Sequence, residues 1–304
     1  MKGRGTEHNP PNRFDKLHHE PGFEEDREHE EERPGPRTEF FRDNARSIIA
    51  ENDSPDIPFD RSLNPYRGCE HGCVYCYARP NHEHLGFSAG LDFETKILVK
   101  EDAPELLRAS LLKPSWKPEF ISLSGVTDPY QPVERKLRLT RRCLEVLTEF
   151  RNPFGIITKN HMVTRDIDLL QELAKHDAAC VLIGLTTLDA DLAGKMEPRA
   201  SRPEGRLQAV RELAAAGIPV GVLLAPVIPG LTDHEVPALL QAAADAGAVS
   251  ASYTLLRLPL GVKDLFADWL ERELPEKKEK VLSRVREFRG GQLNDPRFGT
   301  RMKG

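Results

Sequence analysis

The sequence lacks several features that mark large classes of protein. It contains no run of about 18 apolar residues that could cross a bilayer. Its first residues, MKGRGTEHNPPNRFDKLHHEP, lack the apolar centre of a signal peptide. Its five cysteines are an odd number with three clustered, which fits metal or redox chemistry better than a disulfide framework. We therefore expect a cytoplasmic protein in a reducing compartment, with no membrane partner.

An excess of basic residues is also missing. The formal net charge is −5, so the chain as a whole does not attract nucleic acid, and a polyanion would need a local basic patch. The run ERKLRLTRR offers one, with Arg135, Lys136, Arg138, Arg141 and Arg142. A solvated helix face is the commoner role of such a run, and no zinc-finger, stacking-aromatic or helix-turn-helix pattern accompanies it. Nucleic acid stays open as a substrate.

The N-terminal part of the chain differs in composition from the rest. Residues 23–37, FEEDREHEEERPGPR, form an acidic run punctuated by proline, with too little apolar surface to offset the entropy lost on ordering. We expect residues 1–45 to form a disordered acidic tail. Residues 46–275 would then form one main domain, and residues 276–304 a C-terminal helix and tail.

From about residue 56 onward, short apolar runs alternate with stretches of helical periodicity. Five runs predict buried strands, and we expect a sixth strand just before the clustered cysteines. The five runs are FISLSG (120–125), FGIITK (154–159), CVLIGLTT (180–187), IPVGVLLAPVI (218–228) and ASYTLLRL (251–258). Residues 134–150, 165–176 and 205–217 predict helices with one apolar face, the last ended by Gly217.

Strand and helix alternation of this kind builds a parallel sheet through right-handed crossovers. Roughly six βα units fall short of the eight in a complete barrel. We therefore predict an α/β fold, a partial (β/α)6 barrel with parallel strands, and an open doubly wound sheet is the alternative. In either topology, ligands gather at the carboxyl ends of the strands. The polar residues that end each strand are therefore the candidate binding residues.

The stretch GCEHGCVYCYARP (68–80) carries the three clustered cysteines, Cys69, Cys73 and Cys76. Structural zinc prefers four closed ligands, and a fourth would have to come from a histidine. The candidates are His71, His82 and His84. Three thiolates on one loop can instead hold three corners of a 4Fe-4S cube and leave the fourth iron open. We favour iron-sulfur ligation, and a non-enzymatic binding module with a structural zinc-cysteine loop is the alternative.

The spacing Cys69-x3-Cys73-x2-Cys76, with Tyr75 before the last cysteine, resembles the signature of radical S-adenosylmethionine enzymes. The cluster loop would span residues 66–80. Further blocks are similar to the spore photoproduct lyase-like branch, also labelled DNA repair photolyase-like. They are NPYRGCEHGCVYCYARP, SGVTDPYQPVE, TKNHMVTRD, EPRASRPEGRLQAVRELAAAGIPVGVLLAPVIPGLTD and DPRFGTRMKG, and with them the resemblance covers about residues 45–304.

The resemblance implies a fold, two cofactors and a reaction. The fold is a partial barrel of the radical SAM type with a 4Fe-4S cluster at its mouth, whose open iron binds S-adenosyl-L-methionine. An electron from a flavodoxin- or ferredoxin-like donor breaks a carbon-sulfur bond of that cofactor, which yields methionine and a 5'-deoxyadenosyl radical. The radical then takes a hydrogen atom from an unidentified substrate, in lyase-like or transferase-like chemistry.

The resemblance also implies roles for residues near the cluster. Ser124, Thr127 and Asp128 end the second strand, where contacts to the methionine ammonium are expected, because hydroxyl and carboxylate oxygens accept hydrogen bonds. Lys159 ends the third strand and matches a lysine that meets the cofactor; otherwise it would need an ion-pair partner. Tyr77 matches an aromatic residue whose backbone approaches the adenine.

The remaining implied contacts lie on later strands. Thr186 and Thr187 end the fourth strand, where ribose hydroxyls are expected. Arg199 would form a paired contact with the methionine carboxylate, with surface salt bridging as the alternative. Ala225 and Val227 end the fifth strand, where the adenine face would lie, with ordinary core packing as the alternative.

Two features depart from the lyase pattern. The lyase uses a cysteine hydrogen donor beside the serine of the second strand, and SLSGVT has no cysteine, which argues against spore photoproduct repair itself. DNA repair is therefore only an inherited suggestion. Cys143 lies in a predicted helix and Cys180 opens the fourth strand, so both should be buried and inert. The chain also ends abruptly for this family, so we expect a C-terminal substrate element to be missing.

Overall fold

The computed structural model describes residues 3–15 and 36–303. Its strands are β1 (Glu39–Arg42), β2 (Ile49–Glu51), β3 (Arg61–Leu63), β4 (Tyr66–Arg67), β5 (Lys96–Val99), β6 (Ile121–Leu123), β7 (Phe154–Thr158), β8 (Ala179–Gly184), β9 (Val220–Val227) and β10 (Ser250–Leu255). Its α-helices are α1 (Asp92–Thr95), α2 (Ala103–Leu111), α3 (Glu134–Leu137), α4 (Leu139–Phe150), α5 (Ile167–Ala174), α6 (Ala190–Met196), α7 (Pro203–Ala215), α8 (Val236–Asp245), α9 (Val262–Glu273) and α10 (Lys278–Phe288).

Short 3-10 helices cover Arg79–Leu85, His161–Asp166, Asp233–Glu235 and Pro275–Lys277. A membrane span would need a longer and more apolar helix than any found in these two ranges.

A seven-stranded sheet forms the centre of the fold, in the order β10-β9-β8-β7-β6-β3-β2. Strands β3 and β6 to β10 run parallel to their neighbours, and β2 pairs antiparallel with β3. Each parallel strand is followed along the chain by at least one helix. The predicted partial barrel of six parallel βα units is confirmed, and β3 is the strand expected before the cysteines. A smaller sheet, β1-β5-β4, lies beside the cysteine loop.

The central strands and the helices that cover them form the main core. Ile156 of β7, Val181 of β8 and Val222 of β9 are fully buried, and Val210 and Leu213 of α7 pack in the same cluster. This core fixes the carboxyl ends of the strands, where the site lies. The prediction that residues 251–258 form a buried strand is wrong in one respect. β10 is an edge strand, and residues 250–253 are exposed.

The helix predicted over residues 134–150 is divided in two. Arg138 has a left-handed backbone with φ 53°, which ends α3 and begins α4. The buried Glu134 carboxylate accepts hydrogen bonds from Thr140 N at 3.0 Å and from Arg141 N at 3.3 Å. A carboxylate at a helix N-terminus satisfies amide groups that have no partner within the helix. This interaction stabilises the start of a new helix, which hydrophobic periodicity does not reveal.

The C-terminal helices pack onto the cysteine loop. Phe266 and Trp269 of α9 and Val281 of α10 belong to a second buried cluster that includes Val74 and Tyr75. Helix α10 lies within the residues predicted to form the C-terminal helix, and its packing supports the loop that carries the cysteines.

The predicted disordered tail is wrong for residues 3–15 and 36–45. Residues 3–15, which we call the N-terminal strap, lie against the main domain, and β1 pairs in parallel with β5. Polar contacts hold the strap, as when Asn12 Nδ2 donates to Glu83 O at 2.9 Å. A prediction that weighs only apolar burial misses such anchoring. Residues 16–35, with most of the acidic run, lie outside the described residues.

Glu94 is the anchor of the strap. Its fully buried carboxylate accepts hydrogen bonds from Gly5 N at 2.9 Å, from Thr6 N at 3.1 Å and from Thr6 Oγ1 at 3.0 Å. It also pairs with Arg79 Nη2 at 2.5 Å. A Cβ atom at position 5 would lie 1.8 Å from Gly72 O, so glycine is needed for the strap to lie directly on the cysteine loop.

We predict that Glu94→Ala lowers the free energy of unfolding by about 3 to 5 kcal/mol, because it leaves a buried arginine without its partner. Glu105→Ala is the matched control, since it removes a glutamate whose ion pair with Arg142 is exposed, and it should change stability little. Denaturant unfolding of both variants measures the difference. Equal stability of the two variants would contradict the anchoring role.

Candidate functional site

The three clustered cysteines lie on the loop between β4 and the 3-10 helix that follows it. Cys69 N donates to Phe93 O at 2.9 Å, and Cys76 N donates to Cys73 O at 3.2 Å, which fixes the loop backbone. All three thiols are free. Burial raises the pKa of the Cys69 thiol, and a neighbouring carboxylate and the other two thiols raise it further. The three thiols therefore lie close enough to influence one another, with Cys69 buried and Cys73 and Cys76 half-buried.

Arg79 holds the backbone of this loop through hydrogen bonds to carbonyl oxygens. Its Nε and Nη2 atoms donate to Cys73 O at 3.0 and 2.9 Å, and its Nη1 atom donates to Gly90 O at 2.9 Å. Burial raises the pKa of the Cys76 thiol, and the charge of Arg79 acts against this shift. The arginine therefore holds the turn and favours the thiolate form that metal ligation requires.

Lys159 directs a positive charge toward the thiols. It follows β7, and its Nζ atom lies 5.9 Å from the centre of the Tyr75 ring. Burial raises the pKa of the Cys73 thiol to about 12, and Lys159 acts against that shift. Its side chain crosses β8 at Gly184, where a Cβ atom would lie 2.9 Å from Lys159 Cγ. Within the described residues Lys159 forms no ion pair, and its charge, together with that of Arg206, lowers the pKa of the buried Glu197 carboxylate.

Asp128, predicted to contact the methionine ammonium, already accepts hydrogen bonds within the protein. Its Oδ1 atom accepts from Thr158 Oγ1 at 2.7 Å and from Tyr130 N at 2.8 Å. Its Oδ2 atom accepts from Lys159 N at 2.9 Å and lies 3.3 Å from His71 Nδ1. Burial alone would raise the pKa of this carboxyl, but His71 and the hydrogen bonds outweigh it and lower the pKa to about 2. Asp128 therefore positions its neighbours.

A buried ionic network supports the loop from the barrel side. Glu197 pairs with Arg206, and both are almost fully buried. The Glu197 carboxylate also accepts hydrogen bonds from the Tyr75 hydroxyl and, at 2.9 Å, from Thr186 Oγ1. Burial alone would raise the pKa of Glu197, but the charges of Arg206 and Lys159 outweigh it and lower the pKa to about 2. The hydroxyl of Thr186, predicted to meet a ribose, is thus engaged within the protein.

Three further hydroxyl groups predicted to meet the cofactor also bond within the protein. Thr127 Oγ1 donates to Gly68 O at 2.6 Å, and Ser124 Oγ donates to Thr127 O at 3.2 Å. Thr187 Oγ1 donates to Glu235 Oε1 at 2.6 Å. Ser124 is half-buried, whereas the two threonines are buried. These bonds shape the loops around the thiols, and contacts with the cofactor stay predictions.

Tyr77 lies at the exposed side of the cysteine loop, with 48% of its surface accessible. Its hydroxyl donates to Gly125 O at 2.6 Å, and the Arg257 guanidinium lies 5.2 Å from its ring centre. Ala225 and Val227 lie half-buried on β9. Their predicted contacts with the adenine stay predictions.

Arg199 does not present a free guanidinium to the thiols. Its Nη2 atom lies 3.1 Å from Glu70 Oε1, and its Nη1 atom donates to Thr38 Oγ1 at 3.3 Å. These bonds match the salt bridging given as the alternative, and the predicted contact with the methionine carboxylate stays a prediction.

The three histidines considered as a fourth zinc ligand have different surroundings. His71 is buried between Asp128 and Asn160, whose Nδ2 atom lies 3.3 Å from His71 Nε2. Burial lowers the pKa of His82 to about 4, and His84 is exposed. In the part of the chain that the structure describes, no three His, Cys, Asp or Glu side chains are placed to hold a single metal ion. His71 could act as a ligand only after losing its contacts.

The two remaining cysteines lie away from the loop. Cys143 is fully buried in α4, as predicted. Cys180 lies near the start of β8 and is half-buried, so the prediction that it is buried is wrong. Its Sγ atom lies 4.0 Å from Phe154 O on the neighbouring strand β7.

The basic run does not act as one patch. Arg141 pairs with Asp166 at 2.9 Å and with Asp168 at 2.7 Å, and Arg142 pairs with Glu105 at 2.7 Å. These carboxylates neutralise two of the five positive charges. The run therefore gives no support to nucleic-acid binding as a unit.

Three charged residues of the site received no role from the sequence: Arg79, Glu94 and Arg206. A signal existed for Arg206, because it shares the apolar helical face of Val210 and Leu213 in α7. A charged residue on such a face predicts a buried partner. Glu94 has no comparable signal, because its partners on the strap lie almost 90 residues away.

Comparisons with known proteins agree with this geometry. A sequence model described as Radical SAM superfamily matches residues 63–243. The uncharacterized protein Rv2578c of Mycobacterium tuberculosis is 36% identical over 245 residues, which cover 80% of this chain and 71% of the relative. The uncharacterized protein MJ0683 of Methanocaldococcus jannaschii is 28% identical over 225 residues, which cover 73% of this chain and 80% of the relative.

Among solved structures, spore photoproduct lyase complexed with dinucleoside spore photoproduct superposes with a TM-score of 0.55 and 17% identity. The superposition covers 79% of this chain and 67% of that chain. At this level of identity the likeness shows a shared fold.

The Glu197 network predicts a pH dependence of stability. Because its pKa is lowered from 4.5 to about 2, Glu197 contributes stability that is full above its ordinary pKa and is lost as the pH falls toward 2. Over that window the contribution is about 3 kcal/mol. Between about pH 6 and pH 3, wild type should therefore lose more stability than Glu197→Gln.

Urea unfolding at a series of pH values measures this difference. Glu145→Gln removes an exposed glutamate and serves as the control, with a profile parallel to wild type. A Glu197→Gln profile that is also parallel to wild type would contradict the account of the buried pair.

Proposed function

The chain belongs to the Radical SAM superfamily, and we propose that Cys69, Cys73 and Cys76 hold a 4Fe-4S cluster whose open iron binds S-adenosyl-L-methionine (SAM). The observation that carries this proposal is the presence of three free thiols on one loop, near enough for each to affect the pKa of Cys69. Three soft thiolates suit iron-sulfur ligation, and they leave one iron without a protein ligand. The neighbouring cations Arg79 and Lys159 offset the negative charge of three thiolates.

When bound, such a cluster would pass an electron to SAM, and the carbon-sulfur bond would break to give methionine and a 5'-deoxyadenosyl radical that abstracts hydrogen from the substrate. The protein's own residues would hold and orient the reactants. Lys159, which forms no ion pair within the described residues, offers a cation for the carboxylate or ribose oxygens of SAM. Asp128 fixes the backbone of Lys159, and the partial burial of the thiols limits the access of water to the reacting centre.

The proposal includes a redox partner and a substrate class. A flavodoxin- or ferredoxin-like protein would supply the electron. The dinucleoside spore photoproduct is a ligand of the lyase, and this chain has no cysteine in SLSGVT to serve as the lyase's hydrogen donor. We therefore propose a hydrogen-abstracting enzyme, with nucleic acid as one candidate substrate and no assignment to DNA repair.

We predict that the anaerobically prepared, reduced protein cleaves SAM slowly to 5'-deoxyadenosine without added substrate. Cys73→Ala should abolish the product, because the cluster would lose one of its three protein ligands. Cys143→Ala, which removes a buried thiol outside the loop, is the matched control and should retain activity. Chromatographic assay of 5'-deoxyadenosine measures all three proteins.

Absence of 5'-deoxyadenosine from reduced protein that contains iron and sulfide would contradict the proposed function. Colourless protein with about one zinc per chain would instead favour the structural zinc loop.

The variant Lys159→Met tests whether Lys159 contributes to SAM binding. It should keep its iron but bind SAM roughly tenfold more weakly, while the exposed Lys175→Met should match wild type.

A further inference from the structure

Two arginines from distant parts of the chain meet at one hydroxyl group on the outer side of the cysteine loop. Arg4 Nη2 donates to Thr38 Oγ1 at 3.1 Å, and Arg199 Nη1 donates to the same oxygen at 3.3 Å. Thr38 in turn donates to Glu70 Oε1 at 3.2 Å. Two guanidinium groups that share one acceptor lie close together, which is unfavourable unless an anion stands between them.

One carboxylate, that of Glu70, lies beside the two guanidinium groups, and its Oε1 atom lies 3.1 Å from Arg199 Nη2. Glu70 is 3% exposed, and its other oxygen accepts a hydrogen bond from Val133 N at 2.7 Å. Arg4 forms no ion pair with the residues described, and its remaining bonds go to the carbonyl oxygens of Glu94 and Pro36 at 2.8 Å. Burial lowers the pKa of Arg4, the nearby charge of Arg199 lowers it further, and the carboxylates of Glu94 and Glu70 act against this shift. Because Glu94 also pairs with Arg79, one carboxylate serves Arg4 and Arg199, and an anion from outside the protein would offset the remaining positive charge.

Two surface cavities share Arg199 as a common wall. The first has a volume of about 460 Å³, and its lining includes Arg4, Arg37 and Thr38. The second has a volume of about 390 Å³, and its lining includes Arg135 and Ser201. Both volumes lie within the range of small-ligand sites. Together they place four guanidinium groups around space that one buried carboxylate borders.

We propose that these two cavities form a binding site for a phosphate-bearing anion, with Arg199 at the junction and Arg4 and Arg135 on either side. Guanidinium groups bind phosphate oxygens through paired, charge-assisted hydrogen bonds. The linings of the two cavities include neither the three cysteines nor Lys159. The site does touch the cysteine loop, because Glu70 follows Cys69 and Arg199 N donates to His71 O at 3.2 Å.

The phosphate could belong to a free phosphorylated compound or to a nucleic-acid strand. Inorganic pyrophosphate and a DNA single strand of about 12 nucleotides are the two probes, each titrated calorimetrically into the full-length protein at constant ionic strength. Wild type should bind at least one of them. A preference for the strand would identify a backbone phosphate, and a preference for pyrophosphate would identify a free phosphorylated ligand; both results support the site.

Arginine substitutions test whether the probe binds in the two cavities. Arg4→Gln and Arg135→Gln should each weaken binding of the bound probe by about tenfold or more. Arg211→Gln removes an exposed arginine from α7 outside the two cavities and should bind as wild type does. Failure of both probes to bind at millimolar concentration would overturn the proposal, as would an equal loss in all three variants. Neither result depends on the cluster, so the proposed SAM chemistry would stand or fall separately.

Discussion

A buried ion pair between Arg79 and Glu94 holds the cysteine loop in the form on which the rest of the site depends. Arg79 binds the carbonyl oxygen of Cys73, and Glu94 binds the amides of the N-terminal strap, so the two residues fasten loop and strap together. A buried pair of this kind is costly to desolvate and becomes favourable only when all its hydrogen bonds are made. Here the carbonyl and amide groups of the loop and strap complete them.

The charged groups around the thiols also have to offset the cost of burial. Burial raises the pKa of each of the three thiols, so the thiolate forms needed for metal ligation require nearby positive charge. Lys159 and Arg79 act against that shift, while Glu197 is balanced by Arg206. Among the residues that the structure describes, Lys159 forms no ion pair, and the acidic residues of the site hold the loop and the strand ends in place.

The sequence predicted most of the fold but less of the site. Alternating apolar runs identified the parallel strands, because burial on both faces leaves a continuous apolar signal, and the cysteine spacing identified the loop. The strap was missed, because its anchors are backbone amides that bind Glu94, and amides carry no sequence signal. Asp128 was recognised as a residue of the site, yet its partners Thr158 and His71 depend on a tertiary arrangement that residue type cannot reveal.

The central claim is that the cysteine loop holds a cluster with one iron open to SAM. Electron paramagnetic resonance of the reduced protein, recorded before and after SAM is added, tests it most directly. We predict about four iron per chain and a reduced 4Fe-4S signal whose g values change when SAM binds, because the cofactor becomes a ligand of the open iron. A cluster signal that SAM leaves unchanged, or protein without a cluster after anaerobic reconstitution, would contradict the account.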